Sequence, residues 1–167
     1  MKKSLRAALG LCTTPVVLAA TALPVLFSSQ AVGAVGASGK VLTDVEIGTM
    51  APAAQAVLLD PLRAIAGALS DVGKGSGARV FTSVGIDANH GVVNLYLTDT
   101  RRATGFVQAA KSVESSIDTK QIRIHKATYT LAALDVAREA YLAKPHPYAV
   151  YAVSPAPDGS GLQIEVD

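Results

Sequence analysis

Hydrophobic and polar positions alternate with a period of two along residues 91–98, Gly-Val-Val-Asn-Leu-Tyr-Leu-Thr. Val93, Leu95 and Leu97 fall on one face, and Val92, Asn94, Tyr96 and Thr98 on the other. That pattern predicts a strand buried on one side. Residues 80–86, Val-Phe-Thr-Ser-Val-Gly-Ile, read as a second strand, joined to it by the turn-rich run Asp87-Ala88-Asn89-His90-Gly91. The two should pair antiparallel, with Asn89 and Gly91 best able to take positive φ in the loop.

Elsewhere the period is helical. In residues 51–73, Ala54, Leu58, Leu62, Ile65, Leu69 and Val72 recur every three or four positions. Asp60-Pro61 interrupts them with an acid at a cap and proline at a first helical position, which predicts two short helices meeting there. Asp99 or Thr100 should cap a helix running to about residue 115, with a stripe of Ala103, Phe106, Val107, Ala110 and Val113. Arg101 and Arg102 fall in its first turn, where the helix dipole disfavours cations; such residues serve an acidic partner or are simply solvated.

Residues 121–126 predict a short strand with Ile122 and Ile124 inward and Arg123 and His125 outward. Reached through a helix, it makes a crossover that is right-handed if the strands run parallel in one sheet. A second helix over residues 131–143 should pack through Leu131, Leu134, Ala137 and Tyr141, and Pro145 and Pro147 stop it. Residues 148–153 and 162–166 are the last strands. The order β-β-α-β-α-β-β over residues 78–167 predicts an α+β domain: one antiparallel-rich sheet with helices packed on one face, preceded by a signal peptide and a helical segment.

Half of the 167 residues are hydrophobic, but part of that belongs to the N-terminus. Met1-Lys2-Lys3-Ser4-Leu5-Arg6 is basic, residues 7–27 are apolar apart from Thr13-Thr14-Pro15 and Pro24, and small residues follow to Ala34. This is the pattern of a secretory signal peptide, with cleavage after Ala31 or Ala34, Ala31 preferred. Pro15, Pro24 and the small-residue exit argue against a retained membrane anchor. Cys12 is poorly placed for a lipid anchor, because Leu11 precedes it and a long apolar stretch follows. Residues 32–50, small and polar with Gly36 and Gly39, read as a flexible leader. Shedding Lys2, Lys3 and Arg6 takes 15 basic residues to 12 against 13 acidic ones, and the net charge from +2 to −1. No basic face then argues for nucleic acid or an anionic membrane, and without Cys12 there is no disulfide.

Candidate chemistry is sparse. Gly73-Lys74-Gly75-Ser76-Gly77 lacks the Ser or Thr that should follow a phosphate-loop lysine, and a strand rather than a helix comes next, so it reads as a flexible linker. His90 lies in a turn, His125 points outward from a strand and His146 sits between two prolines. None has another histidine four residues on, and no cysteine is available as a zinc ligand. Asp158-Gly159-Ser160-Gly161 superficially matches the surroundings of a nucleophilic serine, but no base and third group accompany it; a hairpin turn is the better reading. No catalytic residue, cofactor or metal site is expected.

The run Val92-Val93-Asn94-Leu95-Tyr96-Leu97, a helix, Ile122-Arg123-Ile124 and then Tyr129-Thr130-Leu131-Ala132-Ala133-Leu134 resembles the N-terminal pro-region of secreted bacterial serine proteases of the trypsin/chymotrypsin fold, the streptogrisin and α-lytic types. The closing segment with Asp158-Gly159-Ser160-Gly161-Leu162 resembles the stretch that precedes the protease domain in such chains. The likeness covers about residues 80–167, and no catalytic domain is present. It implies a secreted, extracellular, non-catalytic domain that assists folding of a cognate serine protease and inhibits it, through sheet-edge addition and an extended tail in the substrate cleft. The alternative is a free-standing secreted interaction module with an unrelated extracellular target. Either way a monomer is expected, and the candidate protein-binding residues are Tyr148, Val150, Tyr151, Leu162, Ile164, Val166 and Asp167.

Overall fold

A computed structural model describes residues 41–167. The expected signal peptide, Cys12 and the first part of the leader lie outside those residues. The protein is α+β, with elements α1 (Asp44–Gly48), α2 (Pro52–Lys74), β1 (Phe81–Asp87), β2 (Val92–Leu97), α3 (Ala103–Val113), β3 (Ile122–Lys126), α4 (Leu131–Leu142), β4 (Val150–Pro155) and β5 (Leu162–Val166). The order of strands and helices from β1 onward is the one the hydrophobic pattern predicts.

β2 is the middle strand of a three-stranded sheet, antiparallel to β1 and parallel to β3. Val93, Leu95 and Leu97 are completely shielded from solvent. The same core holds Leu62, Ile65, Leu69 and Val72 of α2 and Phe106 and Ala110 of α3. Phe81 stacks on Phe106 with ring centroids 5.9 Å apart, joining the β1 end to α3. The turn before β2 closes through Gly91, at φ +64°, and an Asp87 carboxylate that accepts from the His90 backbone.

Several expectations need correction. The strands do not form one sheet: β4 and β5 make a separate antiparallel pair. The flank of β1 is already occupied. The Thr82 hydroxyl donates to the Tyr129 carbonyl at 2.7 Å, and the Ser83 hydroxyl donates to the Pro157 carbonyl. α2 and α3 supply the buried residues that cover the main sheet, while α4 lies chiefly against β4, touches the main core through Leu131 and buries Leu134, leaving Ala137 exposed. Val113, the last residue of α3, is 59% exposed, and Ile124 is inward in register with Leu95 but 37% exposed because β3 is an edge.

The break expected at Asp60-Pro61 is absent: α2 runs through Pro61 for 23 residues. Proline removes the hydrogen bond to the carbonyl four residues back, here Val57. Val57 and Pro61 are both exposed, so water can serve that carbonyl. The leader is not wholly irregular. Thr43 and Glu46 cap each other's backbone N–H reciprocally at the start of α1, whose Ile47 is buried. The glycine stretch after α2 is no flexible linker either. Gly77 N–H donates to the Val72 carbonyl at 2.8 Å, and a Cβ on Gly77 would meet the Phe106 ring at 2.3 Å.

Because Leu95 has core on every side, Leu95→Ala should lower unfolding free energy by about 3–5 kcal/mol with an unchanged denaturant slope. Urea unfolding followed by circular dichroism measures it, and a loss below about 1 kcal/mol would contradict the packing described.

Candidate functional site

The predicted binding residues gather on and beside the β4–β5 hairpin. The register pairs Val150 with Val166, Val153 with Ile164 and Pro155 with Leu162, so these six share one face. Tyr151 is the extra residue of a bulge between Val150 and Ala152. The insertion keeps Val150 on the apolar face three residues before Val153, instead of flipping it over. Val150, Val153, Pro155 and Leu162 are half-buried, whereas Ile164 and Val166 stay 39% and 47% exposed and Tyr151 68%. Among the described residues no third strand joins the hairpin, so the outer edges of β4 and β5 keep unpaired backbone donors and acceptors.

Two attachments hold the hairpin. Its turn docks against the flank of β1: Tyr129 N–H donates to the Gly159 carbonyl at 3.1 Å, beside the Thr82–Tyr129 and Ser83–Pro157 bonds. Gly159 is buried at φ +69°, and a Cβ there would lie 2.4 Å from Thr82 Cγ2. The Ser160 hydroxyl and N–H both donate to Asp158 Oδ1, at 2.7 and 3.0 Å, which holds the Asp158 carboxyl below its ordinary pKa. Ser160 thus serves the turn, as the Asp-Gly-Ser-Gly run suggested.

The second attachment is a stack of aromatic rings that the hydrophobic pattern does not predict. His146 lies between two tyrosines, its ring centroid 4.2 Å from Tyr141 and 5.8 Å from Tyr148. The two phenol oxygens are 3.1 Å apart, and this hydrogen bond raises the pKa of Tyr141. His146 Nε2–H donates at 2.9 Å to the Tyr141 carbonyl at the end of α4, which also accepts from Lys144 N–H at 3.1 Å. Tyr148 therefore belongs to a stack at the base of the hairpin rather than to a strand, while keeping 46% of its surface exposed. The density of aromatic residues between Tyr141 and Tyr151, in a chain with five tyrosines, was the available signal.

Residues 162–167 do not form the free extended tail that the resemblance implied: β5 pairs along β4, and Asp167 N–H donates to the Ala149 carbonyl at 3.2 Å. The other histidines lie apart from the hairpin. His90 Nδ1 contacts Asp87 at 2.8 Å in the β1–β2 turn, and His125 stacks on Tyr96 and meets Asn94 Oδ1 at 2.9 Å on the outer sheet face. Among the described residues, no three His, Cys, Asp or Glu side chains cluster as metal ligands, and no helix is long and apolar enough to cross a membrane.

Gly159→Ala should destabilise the protein by about 2–4 kcal/mol, since it combines a left-handed backbone with a steric clash. Gly161→Ala, where an added Cβ meets nothing within 4 Å, should stay within about 0.5 kcal/mol of the parent in the same urea titration. Equal effects would refute the docked turn. No known protein family, curated protein or solved structure matches the chain.

Proposed function

We propose that this is a secreted, non-catalytic domain that binds another protein through the β4–β5 hairpin. This reading rests on the hairpin's edges, unpaired among the described residues, beside the exposed apolar side chains of Tyr151, Ile164 and Val166. A partner strand can pair with the backbone of an edge while alternate side chains meet the apolar positions. The domain makes and breaks no bond itself.

The resemblance to pro-regions names the partner: a serine protease of the trypsin/chymotrypsin fold, whose folding the domain assists and whose activity it inhibits. Strand addition is the physical means, with the hairpin as a preformed template for a β-rich lobe. The second reading keeps the same surface with an unrelated extracellular protein as target. It is favoured by the pairing of residues 162–167 along β4, which takes away the cleft-filling tail that the resemblance implied.

Adding the purified secreted chain to a denatured α-lytic-type protease, then following recovered activity and its inhibition, tests the first reading. Recovery and inhibition at micromolar concentration are expected, and Tyr151→Asp and Ile164→Asp should each weaken inhibition about tenfold or more. Neither recovery nor inhibition would reject the protease partner. Target capture that survives both substitutions would reject the hairpin as the binding surface.

A further inference from the structure

A second feature lies away from the hairpin, where the end of α2, the turn after it and the start of α3 meet. There a cavity of about 370 Å³ opens to solvent, within the size range of small-ligand sites. Val72, Val80 and Phe106 supply its apolar wall, and Arg79, Arg101 and Arg102 its polar one; no acidic residue lines it. Phe106 is held in place by its stack on Phe81 and by the close approach of Gly77.

The three arginines are not equivalent. Arg101 is turned to Asp99 through two bonds, Nε to Oδ1 at 2.9 Å and a terminal nitrogen to Oδ2 at 3.0 Å. Arg79 and Arg102 have no acidic partner among the described residues. Arg102 immediately precedes α3, where the helix dipole adds to the unfavourable concentration of positive charge. Gly105, the third residue of α3, lines the same cavity, and a Cβ there would meet nothing within 4 Å. Glycine is the poorest helix former after proline, and no packing contact requires it here; its effect is to leave the cavity open.

We propose that this cavity binds an organic anion: a carboxylate carried on an apolar group. Arg79 and Arg102 take the carboxylate, and Val72, Val80 and Phe106 take the apolar part. A guanidinium presents planar, paired donors that match a carboxylate and stays charged at any pH the protein meets. The apolar wall selects against inorganic anions, which have no surface to bury. A free carboxylic acid and the C-terminus of a peptide ending in an apolar residue offer the same chemistry. The site is built from different elements than the hairpin, so it stands whether or not the protease reading does.

Titration of the secreted chain with 4-phenylbutyrate, 4-phenylbutyramide, N-acetyl-Ala-Phe and sodium sulfate, followed by backbone amide NMR shifts, tests the assignment. The expected result is saturable binding of a carboxylate, with shifts centred on residues 76–80 and 101–109. The amide should bind about tenfold more weakly or worse, and sulfate without saturation. Arg79→Gln and Arg102→Gln should each weaken binding about tenfold, whereas Lys120→Gln, on another surface, should not. Gly105→Leu should fill the cavity and abolish binding while leaving the melting temperature at or above the parent's. Preference for the peptide acid or for phenylbutyrate assigns the source, and either supports the site. No saturable shift up to about 10 mM, equal binding of acid and amide, or arginine variants that bind like the parent would overturn it.

Discussion

Burying the inner face of β2 is the constraint from which the rest of the main domain follows. Val93, Leu95 and Leu97 have no exposed surface, and each is worth about 1.5–3 kcal/mol relative to exposure. A three-stranded sheet cannot shield one of its own faces. α2 must therefore lie across it, with Leu62, Ile65, Leu69 and Val72 as its contact stripe, and α3 must close the remaining side with Phe106 and Ala110. Pro61 does not conflict with that demand. The buried residues all come after the proline, while the lost hydrogen bond falls on the exposed side.

Electrostatics adds little to this architecture. Among the described residues, the ion pairs Asp60–Arg63, Asp99–Arg101 and Asp135–Arg138 and the Asp87–His90 contact all join residues two or three apart. Local, solvent-facing pairs of this kind are screened by water and add little to stability. They shape turns and helix ends, as Asp99 does in accepting from Arg101 N–H, without tying distant elements together. Long-range cohesion comes instead from apolar packing and from a few directional bonds such as Thr82 to Tyr129.

The hairpin follows a different design. A two-stranded ribbon is marginal alone, and this one shares little of the main core. It is fixed at one end by the Gly159 turn against β1 and at the other by the stack of Tyr141, His146 and Tyr148. Between these anchors its outer edges are unpaired among the described residues, which suits a surface that gains a strand from elsewhere. The arginine-lined cavity is set into the other part of the molecule, against the main core, so the two candidate sites draw on separate packing.

Period-two and helical patterns identified the elements from β1 onward because alternating burial is a local property that a strand or helix writes directly into its residues. The inner face of β2, the buried stripe of α2 after Pro61 and the turn at Gly91 were legible for that reason. The candidate binding residues on β4 and β5 could likewise be named as strand positions, although their shared face depends on the bulge at Tyr151. The division into two sheets left no such mark. It arises because Tyr129, Pro157 and Gly159, distant in sequence from Thr82 and Ser83 of β1, occupy the flank of that strand. The stacking of His146 between tyrosines and the gathering of Arg79 and Arg102 around one cavity depend in the same way on side chains that meet only after the chain has folded back. Contacts across long separations carry no periodic trace, and it is those contacts that set where the candidate surfaces lie.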